Sequence, residues 1–499
     1  MEKFENLLID FYELTMGQAY FNKNTHNDEA YFDLFFRKCP DGASFVIANG
    51  VEKCVNYLKQ FHFTKEDIDY LRSLNRFSEE YLKHLETVRF TGDMWAVEDG
   101  TVVFGNEPVI TIKSNLLEAQ LVETALLVYF NRSSLITTKA NRIVRSAKGR
   151  AVMEFGTRRA QGESAAVDGA VDTFVAGCVG TACTLAGKKY GVPVLGTMAH
   201  SFVQSFDSEY EAFKAYAQSF PDACTLLIDT YDTLGSGIVN AIKVYNEVLR
   251  PMGKTLQGVR IDSGDLAYLS KKTREILNKN GLFTTKIVAS NSLDERVIES
   301  LLSQGAPIDI FGVGENMITA KSQPVFGGVY KLVAMEKYNQ IIPKIKVSDN
   351  IEKITNPHFK TLYRLYDKNG KIISDYLSVY NEEKPKDKLI LVDPDNKWKT
   401  KEITDFKAVD IRKKMIENGE VIYKFPSLDE KRKKVEKELS TLWEEAKRFE
   451  NPHTYTLNLS SELLNVKEAL LYNAKKKNLK NFTNSYENIF TNNNEMTLN

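Results

Sequence analysis

Between residues 150 and 330 the chain repeats one pattern: a short apolar run, a polar or glycine-rich turn, then a stretch with helical spacing. The runs are AVMEF (151–155), TFVA (173–176), PVLG (193–196), TLLI (225–228), GVRI (258–261), KIVA (286–289) and IDIF (308–311). Between them lie SEYEAFKAYAQSF (208–220), LAYLSKKTREILNKNG (266–281) and LDERVIESLLSQG (293–305). Their apolar residues recur at three and four, the spacing of a buried helix face. The last two end on glycine, a usual helix stop. Strands that alternate with helices imply βαβ units and a parallel sheet. Such units in succession predict an α/β fold, an irregular (β/α) barrel of about seven strands over residues 141–330. In a barrel, chemistry sits on the loops that follow the strands.

The flanks read differently. Residues 1–140 mix strand-like runs (EAYFDLFFRK, GTVVFGNEPVITIKS) with helical ones (GVEKCVNYLKQF, NLLEAQLVETALLVYFNRS) and predict an N-terminal α+β domain. Residues 331–499 form a C-terminal extension expected to pack partly on that domain. It opens strand-like (VYKLVAMEKYN, TLYRLYDKNGKIISDYL) and includes a charged helix, LDEKRKKVEKELSTLWEEAKRFE. The tail after Lys475, rich in Asn and Lys, is expected to fray.

Composition removes several classes. Lys plus Arg and Asp plus Glu each number 66, so bulk charge does not favour nucleic acid. At 43% hydrophobic residues the chain is not disordered, and no apolar stretch nears the ~20 residues of a membrane helix. The opening MEKFENLLIDFYELTM carries acids and lacks an apolar core, so no secretory signal is expected. Five cysteines, without a CxxC pair, suggest buried free thiols in a reducing cytoplasm.

Polar residues cluster just past the apolar runs. They are Glu154 to Arg159 (EFGTRR), GTMAHS (196–201), DTYD (229–232), Arg260 running into DSGD (262–265), SNS (290–292) and GVG (312–314). Adjacent Arg158 and Arg159 at a helix start oppose the helix dipole unless an anion lies between them and the backbone amides. His200 on a polar loop suits chemistry better than core packing. Asp229 with Asp232, and Asp262 with Asp265, suit helix caps. Capping accounts for one of each pair and leaves the carboxylate nearer the strand to face a ligand. Gly312 and Gly314 fit a phosphate cradle, a weak signal alone. Arginines and amides suit phosphate and carboxylate; aspartates suit ribose hydroxyls or a phosphate-bound Mg²⁺. The set predicts a phosphorylated sugar substrate.

These motifs resemble the nicotinate phosphoribosyltransferase family. The landmarks are LLIDFYELTM (7–16), EFGTRR (154–159), GTMAHS (196–201), LIDTYDT (227–233), GVRIDSGDL (258–266), FGVG (311–314) and NPHTY (451–455), in family order across nearly the whole chain. The resemblance implies a type II phosphoribosyltransferase fold. It also implies a reaction of NAD salvage: nicotinate, phosphoribosyl pyrophosphate and ATP give nicotinate mononucleotide, pyrophosphate, ADP and phosphate. By the same resemblance Phe155 stacks on the pyridine ring, and Arg158 and Arg260 lie near base and phosphates. Asp229 and Asp262 hold ribose hydroxyls or a Mg²⁺ pyrophosphate. Ser290 belongs to the substrate site, and Gly312, Gly314 and Gly328 line the 5′-phosphate site. Tyr12 comes from the second subunit of a homodimer, and ATP phosphorylates His200.

Two departures bear on this. Glu315 and Asn316 follow the GVG segment, where many relatives carry a threonine-containing phosphate loop; a carboxylate there is unfavourable unless it turns away or meets a cation. Ala182 stands where nicotinamide-specific relatives place an acid, which favours a carboxylate substrate. The alternatives are a nicotinamide or quinolinate enzyme on the same fold, a non-catalytic barrel that binds NAD metabolites, and a Schiff-base aldolase. The last wants a lysine at a strand end, whereas Lys286 opens its strand.

Overall fold

The computed structural model describes residues 4–348, 350, 353–392 and 398–476. The tail expected to fray lies almost wholly outside them. The chain divides into two compact units. One comprises residues 133–325 with 426–436; the other comprises the chain up to Arg132 with 326–425 and the segment from Lys437 on.

The first unit is built on a parallel six-stranded sheet. Its spatial order is Gly180–Thr181, Ala151–Glu154, Ile310–Val313, Lys286–Ser290, Gly258–Ile261 and Thr225–Leu227. Val194 adds a single parallel bridge to Thr181. With that bridge the strands follow one another in chain order around a cycle, and Ile310–Val313 returns to Ala151–Glu154. Among the described residues no ladder joins Val194 to Thr225–Leu227. The seam stays open there, which is the irregularity of this barrel.

Two expected strands are corrected. TFVA at 173–176 closes the helix Glu163–Val175. Ala166, Val167, Ala170 and Phe174 are buried at helical spacing, and the run marks that face. The strand in its place is Gly180–Thr181, too short to show as an apolar run. A side chain at Gly180 would bring its Cβ within 2.5 Å of the Pro193 carbonyl oxygen, so glycine is what lets the two segments meet. PVLG at 193–196 supplies only the Val194 bridge.

The strands alternate with helices, three of which begin where an aspartate accepts backbone amides. Asp265 caps Leu266–Lys279 through Tyr268 N (3.0 Å), and Asp294 caps Glu295–Ser303 through Val297 N (2.8 Å). Asp232 accepts from Leu234 N and Gly235 N. Val152, Leu226, Val259, Ile287 and Phe311 of the sheet join Phe213, Ile238 and Ile298 of the helices in one buried core. Each such side chain contributes about 1.5–3 kcal/mol when fully buried. That core holds the strands rigid, so their C-terminal ends sit at fixed spacing.

The second unit carries a seven-stranded antiparallel sheet. Its order is Gln340–Pro343, Gly328–Lys337, Glu29–Phe36, Ile110–Asn115, Asp93–Val97, Arg412–Glu417 and Glu420–Val421. Strands from both ends of the sequence thus share one sheet. A smaller sheet pairs Lys360–Tyr366 with Ile372–Val379, flanked by Lys407–Asp410 and Leu457–Leu459. Phe32 and Tyr330 stack across the larger sheet with ring centroids 4.9 Å apart. All five cysteines are free, and four are buried; Cys39 is only half-buried, which corrects the expectation of five buried thiols. Among the described residues no helix is long and apolar enough to cross a membrane.

Candidate active site

At the C-terminal ends of the parallel strands lies a cavity of ≈ 490 Å³. Phe155, Arg158, His200, Arg260, Asp262, Ser290, Gly312 and Gly314 all line it. Eight of the residues expected from sequence therefore meet in one place, carried by separate strand ends. Asp229 supports the wall from behind. Tyr12 and Gly328 belong to the other unit and do not line this cavity. There Tyr12 is 45% exposed on the helix Phe11–Asn22, and a side chain at Gly328 would collide with Asn131.

Phe155 follows directly on its strand, its N–H donating to the Val313 carbonyl at 2.8 Å. Its ring lies against Gly312, where an added Cβ would fall 2.6 Å from the ring. Gly312 is thus required by the close approach of this ring. Beneath the ring Glu154 is fully buried and accepts from Gly156 N and Thr181 Oγ1. Burial raises the pKa of its carboxyl, and those two hydrogen bonds oppose the rise.

Arg260 sits with its guanidinium carbon 5.9 Å from the Phe155 ring centroid. It donates to Ser290 Oγ (3.0 Å), Thr197 Oγ1 (2.7 Å), the Met198 carbonyl (3.2 Å) and Asp262 Oδ1 (3.3 Å). Ser290 in turn donates to Asp262. Asp229 Oδ2 accepts the Asp262 N–H at 2.8 Å and the Ser263 hydroxyl at 2.7 Å. Its other oxygen, Oδ1, is buried without a hydrogen-bond partner among the described residues. Asp232 and Asp265 cap, as expected of one member of each pair; Asp262 lines the cavity, whereas Asp229 does not and instead holds the Asp262 N–H and the Ser263 hydroxyl.

His200 opens the short helix His200–Gln204. Its Nδ1 is 3.1 Å from Thr230 Oγ1, and its Nε2 is 3.8 Å from Asp262 Oδ2. The ring remains 38% exposed, so Nε2 is reachable from the cavity. On the opposite side Glu315 meets the cations its position demands: Lys321 Nζ at 2.5 Å and Arg159 Nε at 3.7 Å. Lys321 first, and Arg159 after it, lower the pKa of its carboxyl and keep it ionised. Arg158 is exposed in the turn Thr157–Arg159 and has no protein partner among the described residues.

Several working residues were not singled out from sequence. Thr197, Thr230 and Ser263 lie within quoted motifs, and their hydroxyls meet Arg260, His200 Nδ1 and Asp229 respectively. Asn316 donates to the carbonyls of Ser292 (3.0 Å) and Leu293 (3.1 Å), tying two rim loops together. Asn291 and Ser292 both have positive φ, 89° and 50°, a conformation held only where surrounding structure over-determines it. The asparagine is the one turn signal in the residue types, since Asn tolerates positive φ better than most.

Comparison with known proteins places the chain in a family. Three family models match: the nicotinate phosphoribosyltransferase N-terminal domain over residues 7–131, the nicotinate phosphoribosyltransferase family over 150–371, and its C-terminal domain over 359–467. The chain is 40% identical over 474 residues to a Bacillus subtilis nicotinate phosphoribosyltransferase, covering 94% of this chain and 96% of that relative. It is 36% identical to a Caenorhabditis elegans protein of the same name, covering 92% of each. The crystal structure of human nicotinic acid phosphoribosyltransferase superposes with a TM-score of 0.84 at 28% identity, covering 93% of this chain and all of that one. On the match of all three family models and of full-length relatives, the chain belongs to the nicotinate phosphoribosyltransferase family.

Proposed function

We propose that the cavity at the strand ends joins nicotinate to phosphoribosyl pyrophosphate, with ATP hydrolysis driving the transfer through His200. Family membership makes the chain an enzyme of NAD salvage. The observation that carries the assignment of residues is Arg260: a guanidinium fixed largely by neutral partners, beside an aromatic face, in the cavity that His200 also lines.

In this reading the pyridine ring lies on Phe155 and its carboxylate pairs with Arg260 or Arg158, the charge-assisted pairing such a group seeks. Ala182 lines the same cavity and brings no negative charge, which favours an acid over an amide. The ring nitrogen forms a bond to the anomeric carbon as the bond to pyrophosphate breaks, and the electron pair leaves with pyrophosphate. The protein's share is to position the reactants and to oppose the charge growing on the leaving group. Arg158, Arg159 and the amides around Gly314 serve the phosphates.

The family implies Mg²⁺. Among the described residues no group of three or more His, Cys, Asp or Glu is placed to hold a metal. The unpartnered Asp229 Oδ1 is one suitable oxygen. Mg²⁺ is commonly held by one or two carboxylates with the rest from substrate phosphates, so Asp229 fits, with Asp262 beside it. When bound, the ion supplies charge neutralisation to the pyrophosphate.

For ATP, the lone pair on His200 Nε2 forms the bond to the terminal phosphorus as the bond to ADP breaks; water later releases phosphate. With the Thr230 hydroxyl accepting from Nδ1, 3.1 Å away, the ring proton sits on Nδ1 and Nε2 is free to attack. Tyr12, exposed beside the equally exposed Phe11, is read as the aromatic that a second subunit contributes in a homodimer. Cytoplasmic residence accords with the free thiols.

The test is pyrophosphate release from phosphoribosyl pyrophosphate with each pyridine base, with and without ATP. The expected result is release with nicotinate, stimulated by ATP, and little with nicotinamide. Release with nicotinamide but not nicotinate overturns the substrate assignment.

A further inference from the structure

A second cavity, of ≈ 320 Å³, opens beside the first and shares Arg159 and Glu315 with it. Gln161, Thr319, Lys321 and Pro324 complete its lining. Its charged groups are two cations around one carboxylate. Arg159 and Lys321 are 61% and 63% exposed, and Glu315 is their one acidic partner among the described residues. Ion pairs this open to water are weakly held. Arg159 also lines the first cavity, which the proposed reaction requires to admit phosphates, and a phosphoryl group offers more oxygens and more charge than a carboxylate.

We propose that Arg159 and Lys321 form an oxyanion subsite for a diphosphate or triphosphate group, which Glu315 occupies as an internal counterion until the phosphate displaces it. Glu315 then tunes affinity for a phosphorylated substrate without touching the transferred atoms. It keeps the empty cation pair neutralised and raises the selectivity threshold against weaker anions, because any guest must compete with a tethered carboxylate. The proposal rests on the assigned reaction only for which substrate brings the phosphates: phosphoribosyl pyrophosphate or ATP.

The test is calorimetric titration of inorganic pyrophosphate into the full chain and three variants: Glu315→Gln, Lys321→Gln and the double variant. Both side chains reach solvent, Lys321 63% and Glu315 40% exposed, so the fold is retained. Glu315→Gln is expected to tighten pyrophosphate about threefold to fivefold, and Lys321→Gln to weaken it by a similar factor. In the Lys321→Gln background the gain from Glu315→Gln should fall to less than half, because the two residues act on one site. A gain that persists undiminished there means that Glu315 adds only a diffuse negative field, and overturns the proposal. Unchanged or weaker binding in Glu315→Gln overturns it as well. Steady-state KM values for phosphoribosyl pyrophosphate and ATP then show whose phosphates use the subsite: the one that falls in Glu315→Gln. If neither falls, the subsite serves no substrate and the proposal fails. The titration requires no turnover, so a failure of nicotinate transfer and a failure of the subsite are seen separately.

Discussion

Arg260 in the parallel-sheet unit and Arg364 in the antiparallel one are both held tightly, and they are held by opposite kinds of partner. Arg364 is fully buried. Its guanidinium donates to both oxygens of Asp375, at 2.9 and 2.6 Å, to Glu438 at 3.3 Å and to the Val102 carbonyl at 2.8 Å, with Glu107 4.0 Å away. Arg260 is held by two hydroxyls and a carbonyl, with a single carboxylate at 3.3 Å. Neutral acceptors fix a guanidinium without cancelling its charge; carboxylates do both. Arg364 therefore has no charge left to offer, and Arg260 presents its charge to the cavity. The identity of the partners, rather than burial or the number of hydrogen bonds, separates a structural arginine from a working one.

The comparison is broken most easily at Arg364. Arg364→Met leaves Asp375 buried, and Glu438 half-buried, without their cation, and should cost about 3–5 kcal/mol of stability. Urea unfolding followed by circular dichroism checks this; an unchanged midpoint would refute the structural role. Arg260→Gln should leave the unfolding midpoint nearly unmoved while kcat/KM for nicotinate falls about 10- to 100-fold, the loss of a charge-assisted hydrogen bond of about 1.5–3 kcal/mol. A fall in stability with transfer intact would invert the assignment of the two arginines.

His200 sharpens the same distinction, since its near contact is a neutral hydroxyl and the carboxylate of Asp262 stands farther off, at 3.8 Å. His200→Ala should abolish ATP-stimulated turnover and its ATP hydrolysis while leaving slow ATP-independent transfer. Thr230→Val removes only the hydroxyl at Nδ1. It should lower the ATP-stimulated rate about threefold to tenfold without changing the rate measured in the absence of ATP.

The smallest effect concerns Glu107. Burial first, then the neighbouring Asp375, raise the pKa of its carboxyl well above the usual range. The folded chain thus keeps a proton that the unfolded chain loses, and stability falls as pH rises from the ordinary carboxylate range through that raised value. Glu107→Gln mimics the protonated acid. It should change stability at neutral pH by no more than about 1 kcal/mol and flatten the decline toward alkaline pH, as read from unfolding midpoints across a pH series.

Strands flanked by helices were legible in the catalytic unit because each buries a β-rich run such as TLLI or KIVA under an amphipathic helix. The strand Gly180–Thr181 was not, because it pairs through glycine-permitted backbone approach and buries no apolar run of its own. TFVA misled for the complementary reason: β-branched and aromatic residues also fill a buried helix face. The charged members of the site were legible because they stand just past strands. Their hydroxyl partners Thr197, Thr230 and Ser263 were not, since a threonine that orients an arginine looks like any other until the fold brings the two together. Glu315 is the instructive case. Its charge looked misplaced in sequence, and Lys321 resolves it from six positions away.

A crystal structure of the protein soaked with nicotinate and phosphoribosyl pyrophosphate tests the central claim most directly. The account predicts the pyridine ring against Phe155, its carboxylate within hydrogen-bonding distance of Arg260 or Arg158, and the pentose between Asp229, Asp262 and His200. Both ligands seated away from those side chains would contradict it.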